Sequence, residues 1–210
     1  MLKALLALLI LVTSAVSKGA NIGLIENSTT VKAVQINTAS YQWKVFQGTP
    51  SNKAIFSFNT NYYWNGVPIG LIYDQDKSLK STIYANSNRP IFVIKDGKAD
   101  IVYRTGDYQL ASQVGPTLLD GGAYVPERLK KEGLYGSDSV RKTCHVAIGV
   151  RDNGKVIVAY FGKASMGEMA SWFGKRGCVR AMKCDGGHSC FFWFGKIKIG
   201  KSVRAGVEVI

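Results

Sequence analysis

The sequence predicts a single α+β domain dominated by mixed or antiparallel β-sheet, with few helices. Three observations predict it. Short runs of β-branched and aromatic residues recur along most of the chain, punctuated by Gly, Pro, Asn and Asp. One stretch near residue 165 combines a helix-start signal with helical apolar spacing. No linker divides residues 18–210, a length that suits one domain.

Taken in order, residues 1–17 read as a secretory signal peptide. Lys3 is the positive n-region, Ala4 to Val12 the apolar run, and Ala15-Val16-Ser17 a small-x-small cleavage site. The run is shorter than the roughly 20 residues that cross a bilayer, and no later stretch is long and apolar enough. The expected location is therefore secreted, periplasmic or extracellular, with no transmembrane span after cleavage.

Asn21 to Thr30 is polar and reads as an extended lead-in. Val31–Ile36, Gln42–Gln47, Ala54–Phe58, Leu71–Asp74, Thr82–Tyr84, Pro90–Ile94 and Ala99–Arg104 read as strands, with Asn61–Gly66 as an aromatic loop. Asp96-Gly97 signals a hairpin. Leu110–Leu119 should bend at Gly115-Pro116. Residues 125–139 read as a basic loop with at most one helical turn. Val146–Val150 and Val156–Tyr160 flank a hairpin turn. Ser165-Met166-Gly167-Glu168 is a capping box, and Met169, Trp172 and Phe173 follow at helical spacing. Cys190–Phe194, Lys196–Ile199 and Val203–Val209 close the chain as strands.

The net charge of +13 favours polyanions of any kind. No helix-turn-helix, zinc-finger or RNA-stacking signature accompanies it, so nucleic acid is the weaker partner for an exported chain. The four cysteines, Cys144, Cys178, Cys184 and Cys190, lack the CxxC spacing of zinc pairs. Disulfides or buried thiols fit them better. His145 and His188, beside two of them, keep a Cys/His metal site open. Nothing calls for a cofactor, a divalent metal stays open, and the oligomeric state is not legible.

Lys183-Cys184-Asp185-Gly186-Gly187-His188-Ser189 is the most informative stretch. An apolar run precedes it and an aromatic run follows, so strand, Gly-Gly turn, strand is the simplest structure. The acid at the turn is either a turn-former or the centre of a polar site. A second Asp-Gly-Gly, Asp120–Gly122, has different flanks and is not an internal repeat.

Four segments together resemble a known family. Ala54 to Tyr63 followed by Gly66-Val67-Pro68-Ile69-Gly70 is similar to its opening motif. Gln113 to Gly122 resembles its Gly-Pro-x-Leu strand, and Ala147-Ile148-Gly149-Val150 its Ala-Ile-Gly hairpin. Ser165 to Ser189 resembles its capped helix and Asp-Gly-Gly-x-Ser close. In this order, over residues 54 to 189, they resemble the phosphodiester glycosidase family. The resemblance implies an exported hydrolase that cleaves a sugar-1-phosphodiester of an envelope or capsule glycan. It implies Asp185 as catalytic carboxylate, Asn59 as a substrate-binding partner and Asp120 as a second carboxylate. Arg141, His145, Gly186, Gly187 and Ser189 would hold phosphate. Where the family places an Arg, this chain has His145, with Arg141 four residues earlier; either Arg141 or a protonated His145 would supply the cation. Tyr62, Tyr63, Trp64 and Phe191 to Phe194 are candidates for a sugar platform. The other reading is a non-catalytic, basic carbohydrate- or polyanion-binding protein of the same fold.

Overall fold

The β-branched and aromatic runs become eighteen strands among the residues that the computed structural model describes: 21–76, 78–79, 88–133 and 140–210. In chain order they begin with β1 (Ile22–Asn27), β2 (Val31–Ile36), β3 (Trp43–Gly48), β4 (Phe56–Asn59), β5 (Tyr63–Trp64) and β6 (Val67–Pro68). β7 (Ile72–Asp74), β8 (Ile91–Lys95), β9 (Lys98–Val102), β10 (Leu110–Gln113), β11 (Thr117–Asp120) and β12 (Ala123–Tyr124) follow. After a short helix, α1 (Arg128–Lys131), come β13 (Thr143–Arg151), β14 (Val156–Ala164) and helix α2 (Met166–Gly174). β15 (Cys178–Gly186), β16 (Phe192–Phe194), β17 (Ile197–Ile199) and β18 (Val203–Val209) complete the set. The expected signal peptide, the strand expected at 82–84 and part of the loop expected at 125–139 lie outside the described residues.

Every strand pairing among the described residues is antiparallel, which narrows the mixed-sheet expectation. A seven-stranded sheet runs β1-β2-β14-β13-β15-β11-β12; a five-stranded sheet runs β17-β16-β4-β18-β3; a four-stranded sheet runs β7-β10-β8-β9. Asn21–Thr30 is not merely a lead-in, because β1 forms the edge of the large sheet. Asn61–Gly66 is not all loop either: β5 and β6 form a hairpin across Asn65-Gly66, both with positive φ.

The middle of the large sheet is covered on both faces, which explains why its strands read as continuous apolar runs. On β13, Val146, Ile148 and Val150 point toward the smaller sheets, meeting Phe56, Phe58, Phe192 and Val207. Ala147 points the other way, into a layer with Met169, Ala170 and Phe173 of α2. Gly149 is required by this second layer. A Cβ there would lie 2.4 Å from a Phe173 ring carbon and 2.7 Å from Cys178 Sγ. Each fully buried Phe contributes about 1.5–3 kcal/mol through removal from water.

Helix α2 starts where the sequence predicts. Ser165 Oγ accepts from the Glu168 N–H while the Glu168 carboxylate accepts from the Ser165 N–H, the reciprocal capping box. Glu168 is thus held at the helix start, also against Lys142.

Candidate active site

The site lies where the large sheet meets the five-stranded sheet. Strand β4 ends at Asn59 and β15 ends at Gly186, and their tips are tied together. The Asp185 N–H donates to the Thr60 carbonyl at 2.8 Å. The buried Asn59 amide donates to the Asp185 carbonyl at 2.8 Å and accepts from the Phe191 N–H at 2.9 Å. Asn59 therefore clamps both ends of the 185–191 loop.

Asp185 is aimed by a bulge. On β13 and β15, Ala147 faces Lys183 and His145 faces Gly186, so Cys184 and Asp185 together oppose Val146 alone. An extra residue of this kind bends a strand and redirects its side chains, a device common beside active sites. Asp185 turns into the cleft, while Cys184 is buried in the core with Met182.

The two glycines that follow have different reasons. A Cβ on Gly186 would lie 2.4 Å from His145 Nδ1 and 2.7 Å from the Cys144 carbonyl, so the site needs the space. Gly187 has open surroundings but a φ of +63°, which a residue with Cβ adopts at a cost. The chain then makes a 3₁₀ turn over Gly187–Ser189 and crosses into the five-stranded sheet. The stretch is therefore not a hairpin: β15 and β16 belong to different sheets.

The cleft has two lobes with Asp185 at the waist. One, of about 430 Å³, is lined mainly by neutral amides and hydroxyls, including Gln47, Asn59, Asn61 and Ser202, together with Arg204. The other, of about 450 Å³, holds Arg141, His145 and Lys183 beside Tyr62. Tyr63, Asp185, His188 and Ser189 line both. Asp185 is the one carboxylate on either wall.

The electrostatics follow from burial. Burial pushes the Asp185 carboxyl up from its ordinary value, against the Ser189 hydroxyl, the Gly186 N–H and the Lys183 charge, which favour the ionised form. Burial alone would lower Lys183, but the Tyr62 hydroxyl and Asp185 outweigh it and hold the ammonium above the usual lysine range. Lys183 Nζ donates to Tyr62 Oη and to the Cys184 carbonyl, each at 3.0 Å, and the Tyr62 hydroxyl donates on to the Gly115 carbonyl at 2.7 Å. Burial, then the positive charges of Lys183 and Arg141, lowers His145 to about 3. Neither of its ring nitrogens has a hydrogen-bond partner.

The sequence profile of the phosphodiester glycosidase family matches residues 44–206. The chain belongs to the phosphodiester glycosidase family. A search of curated proteins gives no sequence match. Among solved structures, a hypothetical protein from Synechocystis is similar, with a TM-score of 0.71 at 14% identity. The alignment covers 90% of this chain, which spans only 61% of that protein's length. The catalytic domain of zebrafish N-acetylglucosamine-1-phosphodiester alpha-N-acetylglucosaminidase, auto-inhibited by its pro-peptide, has a TM-score of 0.69 at 16% identity, covering 90% of this chain and 82% of that one. A protein described as exported, from Burkholderia pseudomallei, has a TM-score of 0.54 at 11% identity, covering 86% and 73%. At these identities the structures establish the shared fold.

The phosphodiester glycosidase fold brings Asn59, Arg141, His145, Asp185, Gly186, Gly187 and Ser189 to one cleft. Asp120 is elsewhere. Its strand neighbour Leu119 faces Ala181, which sets Asp120 level with Arg180, about 16 Å of extended strand from Asp185. It lines a separate cavity with Tyr103 and lies 3.5 Å from Arg128 and 4.0 Å from Arg180. A glycosidase carboxylate pair stands roughly 5–10 Å apart, so Asp120 cannot complete one with Asp185.

Three further expectations change. His145 is neutral rather than a phosphate-binding cation, because a buried ring beside two positive groups does not take up a proton. The Gly186 N–H is already given to Asp185 Oδ1 at 2.8 Å and is not offered to a ligand. Asn59 spends its amide on backbone and positions the loop. Among the aromatics, Tyr63 and Trp64 are exposed at the cleft-side hairpin, whereas Phe191 and Phe192 are fully buried core.

Lys183 is the residue that the sequence reading missed. Lysine inside a strand reads as a solvated edge position. Its place two residues before Asp185, between the apolar Met182 and Cys184, is the available signal. Among the described residues no group of three or more His, Cys, Asp or Glu is placed to hold a metal ion. No described helix is long and apolar enough to cross a membrane.

Proposed function

We propose that this protein hydrolyses a sugar-1-phosphodiester, releasing the free sugar and leaving a phosphomonoester. Family membership supports a hydrolase of phosphodiester-linked sugars in broad class. The observation that carries the finer reading is the convergence of a single carboxylate, Asp185, with Lys183 and Arg141 across a two-lobed cleft.

Such a substrate has two chemically distinct halves, and so does the cleft. The phosphodiester suits the lobe with Lys183 and Arg141, where charge-assisted hydrogen bonds reach anionic oxygens. The sugar suits the lobe of neutral amides and hydroxyls, which match alternating donors and acceptors on a pyranose ring. The reacting C1–O bond then falls at the waist, beside Asp185.

One carboxylate suffices for this bond. Ordinary glycosidases need a general acid because their leaving group is an alkoxide. Here the leaving group is a phosphate ester, whose second ionisation lies near pH 6, so it departs without a strong acid. Asp185 acts as general base. It takes a proton from water as the water oxygen bonds to C1. The electron pair of the breaking C1–O bond goes to the phosphate oxygen, where Lys183 and Arg141 balance the growing charge. A base raised by burial is better matched to this task than an ordinary aspartate.

The leader-like residues 1–17 support an exported enzyme, and an anionic envelope or capsule glycan is the natural substrate of a chain with net charge +13. The test is sugar release from a panel of sugar-1-phosphate diesters. Turnover should be lost in Asp185→Asn. Glycan binding with no turnover on any diester would instead favour a binding protein of the same fold.

A further inference from the structure

We propose that Cys144 and Cys190 form a reversible disulfide that fastens the Asp185–Ser189 loop to strand β13. The two residues are 46 positions apart in sequence, yet both reach one atom. The Cys144 thiol donates to the Gly187 carbonyl at 2.9 Å, and the Cys190 N–H donates to the same oxygen at 3.2 Å. The Cys144 Sγ and the Cys190 N, held at those distances from one oxygen, lie about 6 Å apart at most, which brings the two side chains to the same point of the loop. Burial, and then the neighbouring Cys144 thiol, holds Cys190 far above the usual thiol range.

The other two cysteines are excluded by place. Cys178 packs beneath α2 with Phe173, and Cys184 lies in the opposite core layer with Met182. Cys144 is the half-buried member of the four, so it is the one a reagent meets first.

The chemistry is thiol–disulfide exchange with a low-molecular-weight disulfide such as oxidised glutathione. Cys144, as thiolate, attacks one sulfur of the reagent and expels one glutathione thiolate. Cys190, having given up its proton, attacks the Cys144 sulfur of the mixed disulfide and expels the second. The protein loses two thiol hydrogens and two electrons, and the reagent becomes two thiols. The bond would replace the S–H donation to Gly187 with a covalent tie, between the neighbour of His145 and the end of the turn that carries His188 and Ser189.

The experiment needs no substrate, so its result is separate from the hydrolase reading. The full chain is equilibrated across reduced and oxidised glutathione mixtures, quenched by acid, denatured, alkylated and digested. Titratable thiols should fall from four to two, with one linked peptide joining Cys144 to Cys190. Cys144→Ser or Cys190→Ser should each abolish that link, and in the native chain oxidation should slow amide hydrogen exchange across Gly186–Ser189 by tenfold or more. Four thiols persisting at the oxidising end, a link through Cys178 or Cys184, or a glutathione adduct on Cys144 that Cys190 never displaces would each overturn the proposal.

Discussion

The Asn59 side chain holds the Asp185 carbonyl at 2.8 Å, across the boundary between two sheets. With its oxygen it also takes the Phe191 N–H, so one amide sets both ends of the loop. Asn59→Ala leaves the half-buried Asp185 carbonyl and the buried Phe191 N–H unsatisfied, at about 1–3 kcal/mol each. The expected outcome is a loss of about 2–6 kcal/mol in urea unfolding, with kcat falling more than KM rises. A variant that keeps wild-type kcat would show that the loop does not depend on this clamp.

Asp185→Asn separates activity from stability. Burial raises the carboxyl, so the native state binds its proton more tightly than the unfolded chain. That contribution favours the native state at low pH and is lost as pH rises above the unfolded carboxyl range. At neutral pH the neutral amide should therefore unfold later, by about 1 kcal/mol, while turnover falls by about 10²–10⁴-fold. Thermal unfolding and sugar release on the same sample check both. An unstable, inactive variant would reassign Asp185 to a structural role.

Gly186→Ala and Gly187→Ala should differ in kind. At Gly186 the new methyl meets His145 Nδ1 and the Cys144 carbonyl, so the cleft must deform, costing about 1–3 kcal/mol and most of the activity. At Gly187 nothing stands in the way, and the cost is the left-handed backbone alone, about 1 kcal/mol. Activity should survive the second change. Equal effects on kcat/KM would contradict the crowding at Gly186.

Lys183→Met keeps the length of the side chain and removes its charge. A charge-assisted hydrogen bond is worth about 1.5–3 kcal/mol, so kcat/KM on a phosphodiester should drop roughly 10–100-fold. Inhibition by inorganic phosphate should weaken in parallel. Unchanged phosphate inhibition would place the anion elsewhere in the cleft.

His145 makes stability depend on acid. Its folded value lies at about 3 against 6.5 unfolded, so the native ring stays neutral where the unfolded ring is charged. The stabilisation is fully present above about pH 6.5 and is lost as pH falls toward 3, at up to about 1.4 kcal/mol per pH unit. His145→Phe should flatten the urea midpoint between pH 6 and 4 relative to wild type. Parallel pH curves for the two proteins would mean that the ring titrates normally.

Much of the fold was legible because the relevant signals are local. Val31–Ile36 and Val203–Val209 stand where their β-branched residues put them, and Ser165 to Glu168 caps its helix as four residues dictate. The failures share one cause, partners distant in sequence. Asp185-Gly186-Gly187 looked like a hairpin because nothing local says that β15 and β16 join different sheets. Asp120-Gly121-Gly122 looked like a second site because the same local signal serves an ordinary turn between β11 and β12. The charge of His145 and the burial of Lys183 depend on Arg141, Tyr62 and the strands around them, and no window of sequence contains those neighbours. Cys184, beside Asp185 in sequence, points into the core instead of the cleft.

Strand β18 ties the site to a distant part of the chain. It comes after β3 and β4 by some 140 residues, yet it lies between them, and among the described residues they have no pairing with each other. Strand β4 carries Asn59, so the clamp on Asp185 has a firm base only once residues 203–209 have paired with it. Residues 21–202 without β18 hold Asp185 on its bulge but leave Asn59 on a strand that lacks one of its two neighbours. Pairing of β18 with β4 and β3 is therefore the step that seats the Asn59 clamp, although β18 lies more than 140 residues beyond β4 in the chain.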